Sequence, residues 1–413
     1  MNPGRFLLLA ALALATLGLP HAARAGSKPV LVYYMPWHVA KPHGDAWGWH
    51  WTMDHFNPDV VNASGERQIA SWYYPLIGPY DSSDPAVLEY HVLLMKLAGI
   101  DGVIVDWYGF APYLDYSIND RATARLFACT HRAGLKFAIC YEDQTISHMI
   151  DGNYLAPSNA IPHAQRAMLY LQTNFFSDPS YFRLKGRPLL LNFGPQYFLA
   201  APNWADIFSV LAATNQPAFF TEDIRLASGA GAFSWPPMWM GQAPGTAGVL
   251  SSAALKTYLN TFEQNAAAWP AFISSAFPRF HDIYQKAGVR NYWGYLGDAN
   301  GETLRQTLGH AMTNSSTMVQ IVTWNDFGEG TMVEPTREYG YRDLGIIQDF
   351  RRQYLDKDFS RRTNDLSLAL RFYNARKQFA TNSAASSELD RVFTNIVAGN
   401  LPAADLQLQR LAR

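Results

Sequence analysis

Eight short apolar runs constrain this chain more than any other feature. They are Val30–Met35, Gly102–Trp107, Lys136–Tyr141, Pro188–Phe193, Ala218–Thr221, Ala232–Trp235, Ala271–Ala276 and Met318–Trp324. Several are continuous rather than alternating, among them Val103-Ile104-Val105 and Leu189-Leu190-Leu191. That is the pattern of strands covered on both faces. Helical patterns separate most of them: Asp84–Ala98, Ile118–Ala133, His163–Phe175, Trp204–Ala213, Ser252–Asn265 and Glu302–Met312. The first opens with Asp84-Pro85, a cap and a first-turn proline, and closes at Gly99; the second closes at Gly134. Strand and helix in alternation predict an α/β chain folded as a (β/α)8 TIM barrel. A doubly wound open sheet is the alternative, but no glycine-rich dinucleotide turn follows the first run.

The chain divides into three parts. Residues 1–25 read as a signal peptide: Arg5, the apolar stretch Phe6–Leu19, and Ala23-Arg24-Ala25 before Gly26. The apolar stretch is short and soon followed by Pro20, His21 and Arg24, which disfavours a stable membrane span. No Cys follows it, which argues against a lipid anchor. The expectation is a secreted or periplasmic protein. Residues 26–355 form the catalytic barrel. Residues 356–413 form a helical C-terminal extension, with helical patterns in Asp356–Lys377 and Ser386–Arg413 and a linker at Thr381–Ser387. If Gly134 separates a helix from a strand, Cys129 and Cys140 end at heights differing by roughly 12 Å, beyond disulfide reach. Two free, buried thiols are expected.

A formal net charge of −1 leaves no electrostatic footprint for nucleic acid. Twelve tryptophans point either to a large aromatic core or to flat surfaces on which sugar rings stack. Many fall in Trp37–Pro85, a long segment after the first run. Its aromatic content argues against disorder and for a functional loop.

In a (β/α)8 barrel the site gathers at the C-terminal ends of the strands. Here those ends carry Tyr34, Trp37 and His38; Asp106, Trp107 and Tyr108; Glu142; Asn192; Glu222; Trp235; and Trp324 and Asn325. With Trp51 and Glu334 these are the candidate substrate-binding residues. Any one of them has an ordinary role as a cap, a salt-bridge partner or core. Carboxylates at four strand ends on one predicted face indicate a polar, aromatic-lined cleft. Glycosidic cleavage needs a proton donor and a second carboxylate. Asp326 and Glu329, three residues apart on a Gly-containing turn, fit on position, although spacing alone favours Asp326 as a helix cap and Glu329 as a solvated side chain. No Cys/His cluster has zinc spacing, and no metal is expected.

At these residues the sequence resembles glycoside hydrolase families 71 and 99. Thr323-Trp324-Asn325-Asp326-Phe327-Gly328-Glu329 is similar to the family 71 motif of α-1,3-glucanases. Glu329-Gly330-Thr331 and Glu334 are similar to the family 99 motif of endo-α-mannosidases, where Glu is usual in place of Asp326. Upstream, Ala232-Phe233-Ser234-Trp235 leans towards the glucanases. Tyr33-Tyr34-Met35-Pro36-Trp37 and Gly78-Pro79-Tyr80-Asp81-Ser82-Ser83-Asp84-Pro85 lean towards the mannosidases. The Glu334-Pro335-Thr336 and Tyr339-Gly340-Tyr341 run is similar to polysaccharide-biosynthesis domains. The resemblance covers roughly Val30–Leu355 and implies a barrel hydrolase without metal or organic cofactor. It implies Glu329 as acid/base and Asp326 as its partner, acting on water or on the sugar 2-hydroxyl. The shorter Asp leaves room for a water and favours inversion; attack by the 2-hydroxyl would give retention instead.

The reading is an endo-acting glycosidase of α-glucan or α-mannan type, with carbohydrate as its only expected partner. Two alternatives stand beside it. A glycosyltransferase or transglycosylase would need groups for a nucleotide sugar, and no phosphate cradle is evident. A carbohydrate-binding protein without catalysis would bind glycan with both carboxylates removed.

Overall fold

A computed structural model describes residues 28–243 and 245–412 of the protein. The signal-peptide reading of residues 1–25 lies outside the described residues. Eight parallel strands form the centre: β1 Val30–Tyr34, β2 Gly102–Trp107, β3 Lys136–Tyr141, β4 Arg187–Asn192, β5 Ala218–Glu222, β6 Gly231–Phe233, β7 Ile273–Ala276 and β8 Met318–Ile321. Each pairs with the next, and β8 returns to β1 with Val30 opposite Val319, so the sheet is a closed barrel. This is the predicted (β/α)8 fold. Each of the eight runs overlaps its strand, with ends differing by a few residues.

Alternate residues sort to two sides of the barrel wall, as period-two strand geometry requires. Leu31, Tyr33, Ile104, Ala138, Cys140, Leu191, Phe220, Phe233 and Ile273 fill the inside. Val30, Val32, Tyr34, Val103, Val105, Trp107, Ile139, Tyr141 and Leu190 face the helices. Close fit shows at β2, where a Cβ on Gly102 would approach the Lys136 carbonyl oxygen to 2.4 Å.

The helix between β1 and β2, Pro85–Ala98, begins where the sequence indicates. The Asp84 side chain accepts from the Ala86 N–H, and Gly99 ends the helix at φ +80°. Between β5 and β6 residues 223–230 form a loop with no helix, so strict alternation fails at this one unit. The helix expected at His163–Phe175 starts earlier, at Ala160, and ends in a π turn through Phe176.

The C-terminal residues form three helices, Ser367–Gln378, Ser383–Ala398 and Leu401–Leu411. The linker expected at Thr381–Ser387 is mostly the first turn of the second of these. Asn382 caps it by accepting from Ala385 N–H, and the true break is Phe379–Asn382. Phe372, Leu389, Val392 and Phe393 share a core with Leu93 and Leu97 of Pro85–Ala98. Arg376 and Arg132 both pair with the buried Glu89, and Lys377 with Asp84. Cys129 and Cys140 are buried and free. Among the described residues no helix is long and apolar enough to cross a membrane.

Candidate active site

The loop leaving β8 is a closed, knitted structure. At its base Thr323 N–H donates to the Thr331 carbonyl, Val333 N–H to Thr323 and Glu334 N–H to Trp324, all at 2.9–3.0 Å. Inside it the Thr323 hydroxyl accepts the Asp326 N–H at 2.8 Å, and Asp326 Oδ1 accepts the Glu329 N–H at 2.8 Å. Its outer edge is clasped from the β7 side, where His281 and Ile283 donate N–H groups to the Glu329 and Gly328 carbonyls. Gly330 has φ +69°, and a Cβ there would meet the His281 carbonyl at 2.7 Å, so this turn needs glycine. Asn325 reaches back to β1: Oδ1 accepts the Met35 N–H at 2.8 Å and Nδ2 donates to the Met35 carbonyl at 2.9 Å. The two carboxylates are thus fixed to a rigid frame before any ligand arrives.

Both face a cleft of about 820 Å³ at the C-terminal end of the barrel, a volume suited to a few sugar rings. Of the candidates, Trp37, Asp106, Tyr108, Glu142, Trp235, Asp326 and Glu329 line it. Glu222, at the end of β5, is close enough for its charge to act on Glu142 and Glu329. Trp37 lies flat on His50, centroids 4.0 Å apart. Tyr33 donates to Asp106 Oδ1 at 2.8 Å. Arg290 reaches to 3.4 Å from Glu329 Oε1 and covers the Tyr284 ring at 4.2 Å. Among the described residues no cluster of His, Cys, Asp and Glu is arranged to hold a metal ion.

Five carboxylates at this end of the barrel hold their protons unusually tightly. Burial is the first cause in every case. It lifts Asp326 to about 6, against the Glu329 and Gly328 N–H groups and Arg290, which pull down. Glu329 is pushed further, because the Asp326 charge adds to burial. Burial raises Asp106 to about 7, and burial with the Asp223 charge raises Glu222 to about 8. Glu142 is raised by burial, then by Asp106 and its other acidic neighbours.

The remaining candidates do not reach the cleft, and this corrects the sequence reading. Tyr34, Trp107 and Asn192 have the outward strand parity. Tyr34 hydroxyl meets His91 Nδ1 at 2.9 Å. Trp107 donates to Asp120, and Asn192 Nδ2 to the Tyr141 carbonyl. His38 is buried against Trp51. Trp51 itself is fully buried and donates to the Tyr80 carbonyl. Trp324 is fully buried beside His91, and Asn325 is committed to Met35. Glu334 accepts from Tyr80 hydroxyl at 2.7 Å and lies 3.2 Å from His91 Nε2. These side chains form the frame behind the site. Sequence reasoning missed Tyr33, His50 and Tyr284. Tyr33 is the inward neighbour of Tyr34 on β1.

A closed parallel barrel, with an acidic, aromatic cleft where its strands end, defines the class as a (β/α)8-barrel glycoside hydrolase. The model of glycosyl hydrolase family 99 matches residues 27–216. That span ends before β5, so Asp326 and Glu329 lie outside it. The glycoprotein endo-alpha-1,2-mannosidase-like protein of Danio rerio is 22% identical over 326 residues, 73% of this chain and 70% of that protein. The glycoprotein endo-alpha-1,2-mannosidase of Rattus norvegicus is 31% identical over 176 residues, 38% of this chain but only 34% of its own length. The solved GH99 endo-alpha-mannosidase of Bacteroides thetaiotaomicron, in complex with Bis-Tris-propane, shares the fold at a TM-score of 0.56 and 19% identity. That likeness covers 79% of this chain and 98% of the solved one. The chain is similar to family 99 glycoside hydrolases over these spans.

Proposed function

We propose that this chain is an exported, endo-acting glycosidase of α-mannan-type glycans, with Glu329 as proton donor and Asp326 as the second carboxylate. One observation carries the assignment of roles. Two carboxylates share one rigid loop, and the backbone N–H of Glu329 rests on Asp326 Oδ1. The same contact stabilises the Asp326 anion, while burial and that anion hold the proton on Glu329. Environments that separate the proton affinities of two neighbouring acids assign the acid and the base. Glu329 gives its proton to the leaving oxygen; Asp326 takes one from water or from the sugar 2-hydroxyl. Mannan is favoured over glucan because the relatives above are named as mannosidases. Export rests on the leader pattern in residues 1–25.

The test is hydrolysis of α-mannan, α-1,3-glucan and bacterial exopolysaccharides side by side, with proton NMR of the first-formed anomer. Internal cleavage of α-mannan is expected. A β anomer assigns Asp326 to water and an α anomer assigns it to the 2-hydroxyl. Turnover of none of the three polymers refutes the proposal.

A further inference from the structure

The cleft does not exhaust the aromatic surface of the catalytic face. Trp239, in the loop after β6, is 56% exposed, and Trp293, in the loop after β7, is 38% exposed. Neither lines the cleft. The loops that carry them are joined to each other. Tyr295 N–H donates to the Gly248 carbonyl and Leu250 N–H to the Tyr295 carbonyl, at 2.7 and 2.9 Å. Gln242 Nε2 donates to the Trp293 carbonyl at 2.5 Å. Two loops that carry exposed tryptophans are thereby tied into one rim.

The rim is continuous with the chemistry. Trp239 follows Trp235, a wall of the cleft, by four residues, and Arg290 lies over the Trp293 ring at 5.1 Å while its Nη2 approaches Glu329. Arg290 covers the Trp293 ring, and 38% of the residue stays exposed. An exposed indole held rigidly gives binding area at little entropic cost.

We infer that Trp293 and Trp239 form a leaving-side platform that stacks the sugars released beyond the scissile bond. The inference rests on Glu329 being the proton donor. A proton donor stands beside the leaving oxygen. Sugars in the cleft are enclosed by Trp37, Tyr108 and Trp235; a chain that continues past Glu329 meets Arg290, then Trp293 and Trp239. Its occupant is the remainder of the same α-linked glycan, and its presence would make the enzyme endo-acting.

Trp239→Ala, Trp293→Ala and the double variant test this. Each is assayed on polymeric α-mannan and on an aryl α-oligomannoside whose leaving group is a single ring. The expected result is a loss of kcat/KM on polymer of roughly five- to thirty-fold, carried mainly by KM. The aryl substrate should change by less than about two-fold. Trp293→Phe, which keeps a stacking face, should recover most of the polymer activity. Unchanged polymer kinetics overturn the inference, as does an equal loss on both substrates. A parent enzyme that cleaves neither substrate refutes the assignment of function instead, and the platform falls with it. Melting temperature, read alongside, identifies any variant whose loss is one of folding.

Discussion

Two loops dominate the catalytic face, and they differ in length and in what they present to the cleft. The loop after β8, Thr323–Glu334, is short and secured by hydrogen bonds at its base, turn and outer edge. The loop after β1, from Trp37 to Asp84, is long, and aromatic rings pack through it alongside hydrogen bonds such as those from Ser82 N–H to the His38 carbonyl and from Ala70 N–H to the Trp51 carbonyl. His38, Trp51, Tyr80 and Phe327 interlock at its root, while Trp37, Trp47, Trp49 and His50 look into the cleft. Proton transfer demands fixed positions, and directional bonds fix them. Stacking on a sugar tolerates small shifts, and rings packed on rings suffice.

Substitutions in the two loops should therefore fail differently. Glu329→Gln keeps the shape of the β8 loop and removes its proton. Hydrolysis should fall by about 10²- to 10⁴-fold, with substrate still bound and melting temperature held. Activity within a few-fold of the parent would remove Glu329 as the acid. In the β1 loop, Trp51→Ala should cost about 3–5 kcal/mol of unfolding free energy, because the side chain is fully buried. Trp49→Ala, 40% exposed at the cleft, should leave stability nearly unchanged and weaken glycan binding. If both changes act only on melting temperature, the loop is structural throughout. Glu334→Ala joins the two regions, since it strips a partner from Tyr80 while leaving His91 buried. A loss of about 1–3 kcal/mol in urea unfolding is expected. The smallest effect is on pH. The Arg290 charge favours ionised Glu329. Arg290→Met should let the acid keep its proton to higher pH and move the alkaline limb of kcat/KM upward. A downward move would contradict the contact.

The barrel was legible because strands buried on both faces leave dense apolar runs. The same density hid the orientation of each residue. With apolar side chains on both faces, Val30–Met35 carries no polar alternation to show that Tyr33 enters the barrel and Tyr34 leaves it. Asp106 could have broken the tie on β2, since an inward Asp106 forces Trp107 outward. The β8 loop was legible by motif, but its clasp was not, because the bonds from His281 and Ile283 are made by backbone groups and leave no residue signature. Tyr284 and Arg290 were missed with them, in a stretch with no regular pattern. The linker at Thr381–Ser387 was misread because Ser and Ala suit a loop and a capped first turn equally.

The crowding of carboxylates also sets how the whole molecule responds to acidity. In the unfolded chain these groups titrate near pH 4. In the native protein Asp326, Asp106 and Glu222 retain protons to about 6, 7 and 8 respectively. Between those limits these three carboxyls bind more protons in the folded protein than in the unfolded one, so their contribution to stability falls as pH rises from about 4 to about 8. Below that window the full contribution is present. Removing one of these acids as its amide, for example Asp106→Asn, should flatten the dependence of melting temperature on pH.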